Sequence, residues 1–300
     1  MGLLQPDQTE EPELSPDEEA DLAAKELGEP LAVFRAGGRR AKLKVIAGVA
    51  LVVYGLVANY FWWVHGPAKF GHIEFHLLIA PPIIGGGLLG FLYRNRGLRI
   101  LVFPTGLLRL RPDAVESFPW EAVSTVRLKT DAGEPVIEYS ETGEIANCWL
   151  PVTVPLVQVW NAWFEIERHD GMKSRFRPAV AEYPELGRMV QTGTFAAMWP
   201  NLLVEFEKGG SVPFGGLSIS REGLHLGGKS LAWSEVKAVT VVHKMVHVKK
   251  AGSWRAWWIK EISQVPNVHL LFGALAMMGV KKAEETKPEE KKPEIEEGNV

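Results

Sequence analysis

The sequence predicts an α+β membrane protein: a two-helix transmembrane hairpin followed by two small antiparallel β modules, each closed by a helix. Three observations predict it. Residues Val45 to Val64 form a run of twenty without a formal charge, which as a helix covers about 30 Å, the thickness of a bilayer core. After Arg99 the long apolar runs give way to short alternating ones bounded by Gly and Pro. A Gly-Leu turn followed by a Trp-led motif then occurs twice in the remaining chain.

The first 34 residues read as an acidic, mostly disordered tail. Residues 1–21 carry eight acids and no Lys or Arg, and such a stretch buries too little apolar area to offset its ordering entropy. A short helix is expected from Ser15-Pro16, where Asp17, Glu18 and Glu19 follow. No basic n-region with an early apolar core is present, so a cleaved signal peptide is not expected. The closing segment, 281–300, has five Lys and seven Glu with no apolar period and reads as a second disordered tail. The whole chain carries −3, so the span between the acidic ends, themselves −8 and −2, is a basic body of net +7.

Residues 35–98 are expected to hold the hairpin, with spans at about 45–64 and 73–93. Tyr60, Phe61, Trp62 and Trp63 supply an interfacial aromatic cluster. The second span carries Glu74, His76 and Pro81-Pro82, which a membrane helix tolerates when a neighbour packs alongside. Arg35, Arg39, Arg40, Lys42 and Lys44 precede the first span, and Arg94, Arg96 and Arg99 follow the second; the loop between offers Lys69, His65 and His72. The positive-inside rule then places both termini in the cytoplasm. Gly48 and Gly55 share one helix face and Gly86 and Gly90 form a GxxxG step, so these four are the expected packing positions. The letters of a dinucleotide fingerprint at Gly85–Gly90 fall inside an apolar span, without the preceding strand that fingerprint needs.

The first module is expected over 99–209. Strands are read at Arg99–Phe103, Leu107–Arg111, Val123–Lys129, Trp160–Arg168 and Lys173–Arg177, the last two joined by His169-Asp170-Gly171. A helix opens at Pro184, is broken or restarted at Pro200 and stops at Gly209. The second module is expected over 210–280, with strands at Val212–Ser220, Leu224–Gly228, Ala238–His243, Val246–Lys250 and Trp254–Lys260. An apolar helix follows from Asn267 to Met278.

The two halves share Gly106-Leu107 with Trp120-x-x-Val123-x-x-Val126, and Gly223-Leu224 with Trp233-x-x-Val236-x-x-Val239. Glycine admits a left-handed turn, and tryptophan is a large anchor over which a small sheet can close. On these residues the chain resembles the pleckstrin-homology-like (PH-like) modules of bacterial membrane proteins, and over 28–279 it is similar to an uncharacterised bacterial inner-membrane family with a transmembrane hairpin and tandem modules of that kind. The resemblance implies bent β sheets capped by C-terminal helices and brings no catalytic motif. The first copy departs from it, because residues 130–159 have no counterpart in the second.

Chemistry is sparse. No Gly-x-Ser-x-Gly elbow, P-loop, His-Glu-x-x-His or Cys-x-x-Cys occurs, and one cysteine, Cys148, excludes an intramolecular disulfide framework. His72 and His76 lie four apart on a helix and are the most metal-like pair, though interfacial residues of this kind need no metal. His243 and His247 lie across an expected hairpin turn with His225 and His269 near in sequence; they read as surface or satisfied histidines, with clustering as the alternative. Trp254, Trp257 and Trp258 read either as module core or as an exposed patch. Lys173, Arg175 and Arg177 share a strand face, and Lys244, Lys249, Lys250 and Arg255 gather near one hairpin. Near an anionic leaflet each cation contributes about 1 kcal/mol. The reading is a non-enzymatic, two-pass inner-membrane protein with no cofactor. Its modules meet the bilayer, anionic lipid headgroups or a protein partner of unknown identity, and no nucleic acid. The alternatives are an assembly factor or subunit packing through the hairpin glycines, and a metal-dependent membrane enzyme or transporter component.

Overall fold

The computed structural model describes residues 16–36, 39–65, 72–154, 161–180 and 182–279. It is an α+β chain of small antiparallel sheets and five helices among the described residues. The first helix, α1 (Pro16–Leu27), and a four-residue strand, β1 (Ala32–Arg35), stand where the sequence reads as an acidic tail. Leu27 explains the helix: it is buried against Phe103 and Leu108, with Ala24 beside it, so α1 gains an apolar contact on the outside of a sheet. The Thr105 hydroxyl donates to the Leu27 carbonyl at 2.9 Å and fixes that end.

Strand β1 pairs antiparallel with β2 (Arg99–Val102), which continues to β3 (Gly106–Arg111) and β4 (Ala114–Pro119) in the order β1-β2-β3-β4. Two long helices, α2 (Arg39–His65) and α3 (His72–Arg94), therefore leave and re-enter the sheet between its first two strands. The expected boundary at residue 35 is thus corrected: the hairpin is an insertion within the first module.

A 3-10 turn at Trp120–Ala122 leads into β5 (Val123–Lys129), which pairs with β10 (Trp163–Arg168) and it with β11 (Lys173–Phe176). The expected insertion holds two short ladders, β6 (Asp131–Ala132) with β9 (Val152–Thr153) and β7 (Val136–Tyr139) with β8 (Ile145–Trp149). Its last residues, 155–159, lie outside the described residues, as does Trp160 of the expected strand.

Helix α4 (Tyr183–Glu207) follows and runs through Pro200 unbroken. Pro200 removes one donor, but Pro200 and Ala196 are both exposed, so the carbonyl it frees faces solvent. The helix ends in a Schellman arrangement: the Gly209 N–H donates to Phe206, the Gly210 N–H donates to Glu205, and Gly209 has φ +75°.

The second module repeats this order without the insertions. A four-strand meander, β12 (Val212–Phe214), β13 (Leu217–Ile219), β14 (Gly223–Leu226) and β15 (Lys229–Ala232), is followed by a 3-10 turn at Trp233–Glu235. Then come β16 (Val236–Val242), β17 (Met245–Lys250), β18 (Ala256–Glu261) and helix α5 (Val268–Met277). The single strand expected over Val212–Ser220 is a hairpin turning at Gly215 and Gly216, both with positive φ.

One hydrophobic core runs through both modules. Helix α5 is the reason. Its residues Val268 to Leu275 are all buried, and α5 meets β8 and α4 of the first module. An all-round apolar helix of ten residues fits a core position of this kind. The two modules are therefore packed together and are not beads on a linker.

Candidate functional site

The two long helices lie antiparallel, and small residues set their approach. A Cβ on Gly55 would stand 2.4 Å from Cδ of Pro82, one on Gly85 would stand 2.6 Å from the Gly48 carbonyl oxygen, and one on Gly48 would stand 3.0 Å from Leu89. Gly48, Gly55 and Gly85 thus make the contact. Gly86 and Gly90 do not: a Cβ on either meets nothing within 4 Å. Their expected role in closing the hairpin is corrected, because they sit on the turned-away side of α3, where both are exposed. Ile46, Val53, Leu56, Val57, Ile83 and Ile84 also point outward into open space. Asn59 donates to the Gly55 carbonyl at 2.7 Å, so its amide has a partner within its own helix. Among the described residues, the Val45–Val64 stretch of α2 is long and apolar enough to cross a membrane.

Where this helix pair joins the sheet, Arg35 of β1 lies opposite Arg99 of β2. Both are exposed, as are Arg94 and Arg96 just after α3. Like charges in direct cross-strand register are unfavourable on their own, so this corner is poised to gain from a counter-charge. The side chains of Arg39, Arg40, Lys42, Lys44, His72 and His76 lie outside the described residues, as does Lys69. No cluster of three metal-ligating side chains occurs among the described residues.

The cations singled out on the modules are mostly paired. Lys173 meets Glu167 at 3.0 Å, and Arg175 meets Glu165 at 2.8 Å while stacking 4.2 Å above the Trp163 ring. Lys250 meets Glu235 at 2.7 Å, and Lys244 reaches Asp131 of the first module at 3.5 Å. The Lys250 ammonium, then the Ala232 N–H, hold the Glu235 carboxyl below its usual range. Arg177, Lys249 and Arg255 have no carboxylate within ion-pairing distance among the described residues. Arg255 lies 4.4 Å from the centroid of Trp254, which is 88% exposed, whereas Trp258 is buried in the core.

The repeated glycines and tryptophans have distinct jobs. A Cβ on Gly106 would stand 2.8 Å from the Phe118 carbonyl oxygen, and one on Gly223 would stand 2.2 Å from that of Leu231. Each glycine therefore lets its strand close on the next one, which corrects the expectation of a left-handed turn at Gly106. Trp120 is buried, its indole filling the slot left by Gly193 of α4, where a Cβ would approach Cε2 to 2.5 Å. Trp233 is half-buried and donates through Nε1 to the Ser220 and Arg221 carbonyls at 3.1 and 3.0 Å.

The histidines do not gather. His225 meets the Ser220 hydroxyl at 2.8 Å, His243 occupies a hairpin turn with φ +48°, and burial, then Lys249, draw His247 down. His269 is fully buried, where desolvation holds it down at about 3. Its Nε2 lies 3.2 Å from the Thr194 hydroxyl, which itself donates to the Val190 carbonyl.

Between the modules lies a cleft of about 830 Å³. Its floor is apolar, with Trp120, Val123, Leu202, Phe214 and Leu270 all buried. Its rim carries Glu121, His169, Asn201 and Glu205, all exposed. The sequence reading missed this site, since its walls come from the Trp120 turn, the end of α4, β12 and the start of α5. The available signal was Glu121 inside the Trp-x-x-Val motif.

Residues 156–284 match DUF6585, a family of unknown function. That span takes in β10, β11, α4 and the whole second module, and leaves out the hairpin and the first sheet. No curated protein and no solved structure matches the chain.

Proposed function

We propose that this is a non-enzymatic membrane protein whose α2–α3 hairpin crosses a bilayer twice and whose tandem PH-like modules lie against the cytoplasmic leaflet, with both termini on that side. The observation that carries the reading is the root of the hairpin. Its two helices leave from paired strands, so Arg35, Arg94, Arg96 and Arg99 are held together as a cationic corner at the anchor's base. Such a corner gains from anionic headgroups within a Debye length. The module arrangement adds support: four strands, a Trp-led turn, three strands and a helix occur twice.

The test uses the full chain in nanodiscs. Hydrogen exchange at Arg99–Val102 should be slower in phosphatidylglycerol-containing discs than in phosphatidylcholine ones, with the difference lost in Arg94→Glu/Arg96→Glu. Equal exchange in both lipids counts against headgroup contact. Release of the protein by alkaline carbonate counts against the anchor itself.

A second reading, packing with another membrane helix, is favoured by Gly86 and Gly90. The α2–α3 contact leaves both uncovered, and small residues let helix backbones approach closely in lipid. Crosslinking in native membranes should yield a higher-mass species that Gly86→Leu/Gly90→Leu removes.

A further inference from the structure

We propose that the cleft between the two modules is a binding site for a small organic cation, an ammonium group carried on an apolar body. This is independent of the membrane reading and rests on a different part of the molecule. At about 830 Å³ the cleft lies within the size range of small-molecule sites. Its floor is apolar, with Trp120, Leu202, Phe214 and Leu270 contributed by four different elements.

The rim is selective by charge. Glu121 and Glu205 line it, and no Lys or Arg does, in a body whose net charge is +7. Neither carboxylate has a hydrogen-bonded or ion-paired side-chain partner among the described residues, although Glu116, Glu165, Glu167, Glu185 and Glu235 on the same modules each have one. An anionic ligand would meet two carboxylates there with no compensating cation. A neutral apolar ligand would leave both unused. An ammonium offers N–H donors to the carboxylates, and charge-assisted hydrogen bonds of this kind are the strong ones. The apolar body then lies against the apolar floor.

The rim and the floor are held rigidly with respect to each other. Glu121 sits in the 3-10 turn fixed by the Trp120–Gly193 packing, and the turn's Ala122 carbonyl accepts from the His169 N–H at 2.9 Å. Glu205 sits in the last turn of α4, just before the Gly209–Gly210 cap. The backbones that carry the two carboxylates are therefore placed before a ligand arrives, which leaves only their side-chain rotamers to order on binding.

The experiment measures binding to the full chain in nanodiscs by equilibrium dialysis, with phenethylamine, its neutral counterpart 2-phenylethanol and the anionic 3-phenylpropionate as probes. Saturable binding of phenethylamine at least tenfold tighter than of the other two is expected. Glu121→Gln/Glu205→Gln should lower that affinity at least tenfold with the melting temperature unchanged, and Ala197→Trp, which fills the cleft, should remove it. If the double variant melts early, the two single variants decide. Absence of saturable phenethylamine binding, equal binding of amine and alcohol, or wild-type binding by the carboxamide variants would each overturn the proposal.

Discussion

Asn267 completes the free edge of β5 as a strand would. Its backbone N–H donates to the Val126 carbonyl at 2.8 Å, its side-chain oxygen accepts from the Val126 N–H at 2.7 Å, and its amide donates to the Ser124 carbonyl at 3.0 Å. One residue from the second module thus satisfies three backbone groups of the first. It does so from a left-handed conformation, φ +51°, which Asn tolerates better than most residues. Gln191 plays a comparable part at Leu150, accepting from its N–H at 2.9 Å and donating to its carbonyl at 3.1 Å. Polar side chains with two-sided hydrogen bonding thus satisfy backbone where no strand partner exists, Asn267 between the modules and Gln191 within the first.

Asn267→Ala should therefore destabilise both modules together. It leaves the Val126 N–H and the Ser124 carbonyl without their side-chain partner, which costs about 1–3 kcal/mol, and places a residue poorly suited to positive φ in that position. Denaturant unfolding of the detergent-solubilised chain should show one transition at lower midpoint. Two separated transitions would mean that the modules fold independently.

His269 sets an acid limit on stability. Its folded value of about 3 lies below the ordinary 6.5, so between those pH values the unfolded chain binds a proton that the folded chain refuses. Stability is complete above pH 6.5 and declines as pH falls below it, by up to about 1.4 kcal/mol per pH unit. His269→Leu should flatten the difference in unfolding free energy between pH 7 and pH 5. An unchanged slope would show that the buried imidazole is not its source.

The parts legible in the sequence are those whose signal is local. The Val45–Val64 stretch announces a long apolar helix by itself, and Trp120 and Trp233 mark their turns because a large side chain must precede each closing sheet. Strand β1 was hidden, since Ala32–Arg35 is four residues long and its partner, Arg99–Val102, follows only after the whole hairpin. Asn267 gave no signal either, because its partners lie in the other module. The cation groups were visible as residues, but their neutralisation by Glu165, Glu167 and Glu235 depends on strand register. The cleft was invisible for the same reason: Glu121 and Glu205 are brought to one rim only when α4 packs on the Trp120 turn.

The repeated glycines predict a matched pair of failures. Gly106→Ala would drive a methyl toward the Phe118 carbonyl, and Gly223→Ala toward the Leu231 carbonyl, both of them backbone atoms that no rotamer change can move. Overpacking of this sort costs about 1–3 kcal/mol. Gly223→Ala should be the worse, because its closest approach is 2.2 Å against 2.8 Å at Gly106. Melting temperatures of the two variants in one detergent would test the order.

The hairpin supplies a contrast within three consecutive residues. Gly85 packs against the Gly48 carbonyl, with Leu51 and Val52 beside it, while Gly86 and Gly87 meet nothing within 4 Å. Gly85→Leu must push α2 and α3 apart, at a cost of about 1–3 kcal/mol in lost contact and strain, whereas Gly87→Leu should change the monomer by less than about 0.5 kcal/mol. Helix propensity works in the opposite direction, since both substitutions replace glycine by a better helix former, worth up to about 1 kcal/mol. A destabilised Gly85→Leu beside an unchanged or stabilised Gly87→Leu would therefore isolate packing as the cause. Spin labels on cysteines placed at the outward-facing Val53 and Ile84, in a Cys148→Ala background, would report the separation directly. The distance between them should be unchanged in Gly87→Leu and longer in Gly85→Leu, and equal distances in both would mean that the glycine contact does not set the spacing of these helices.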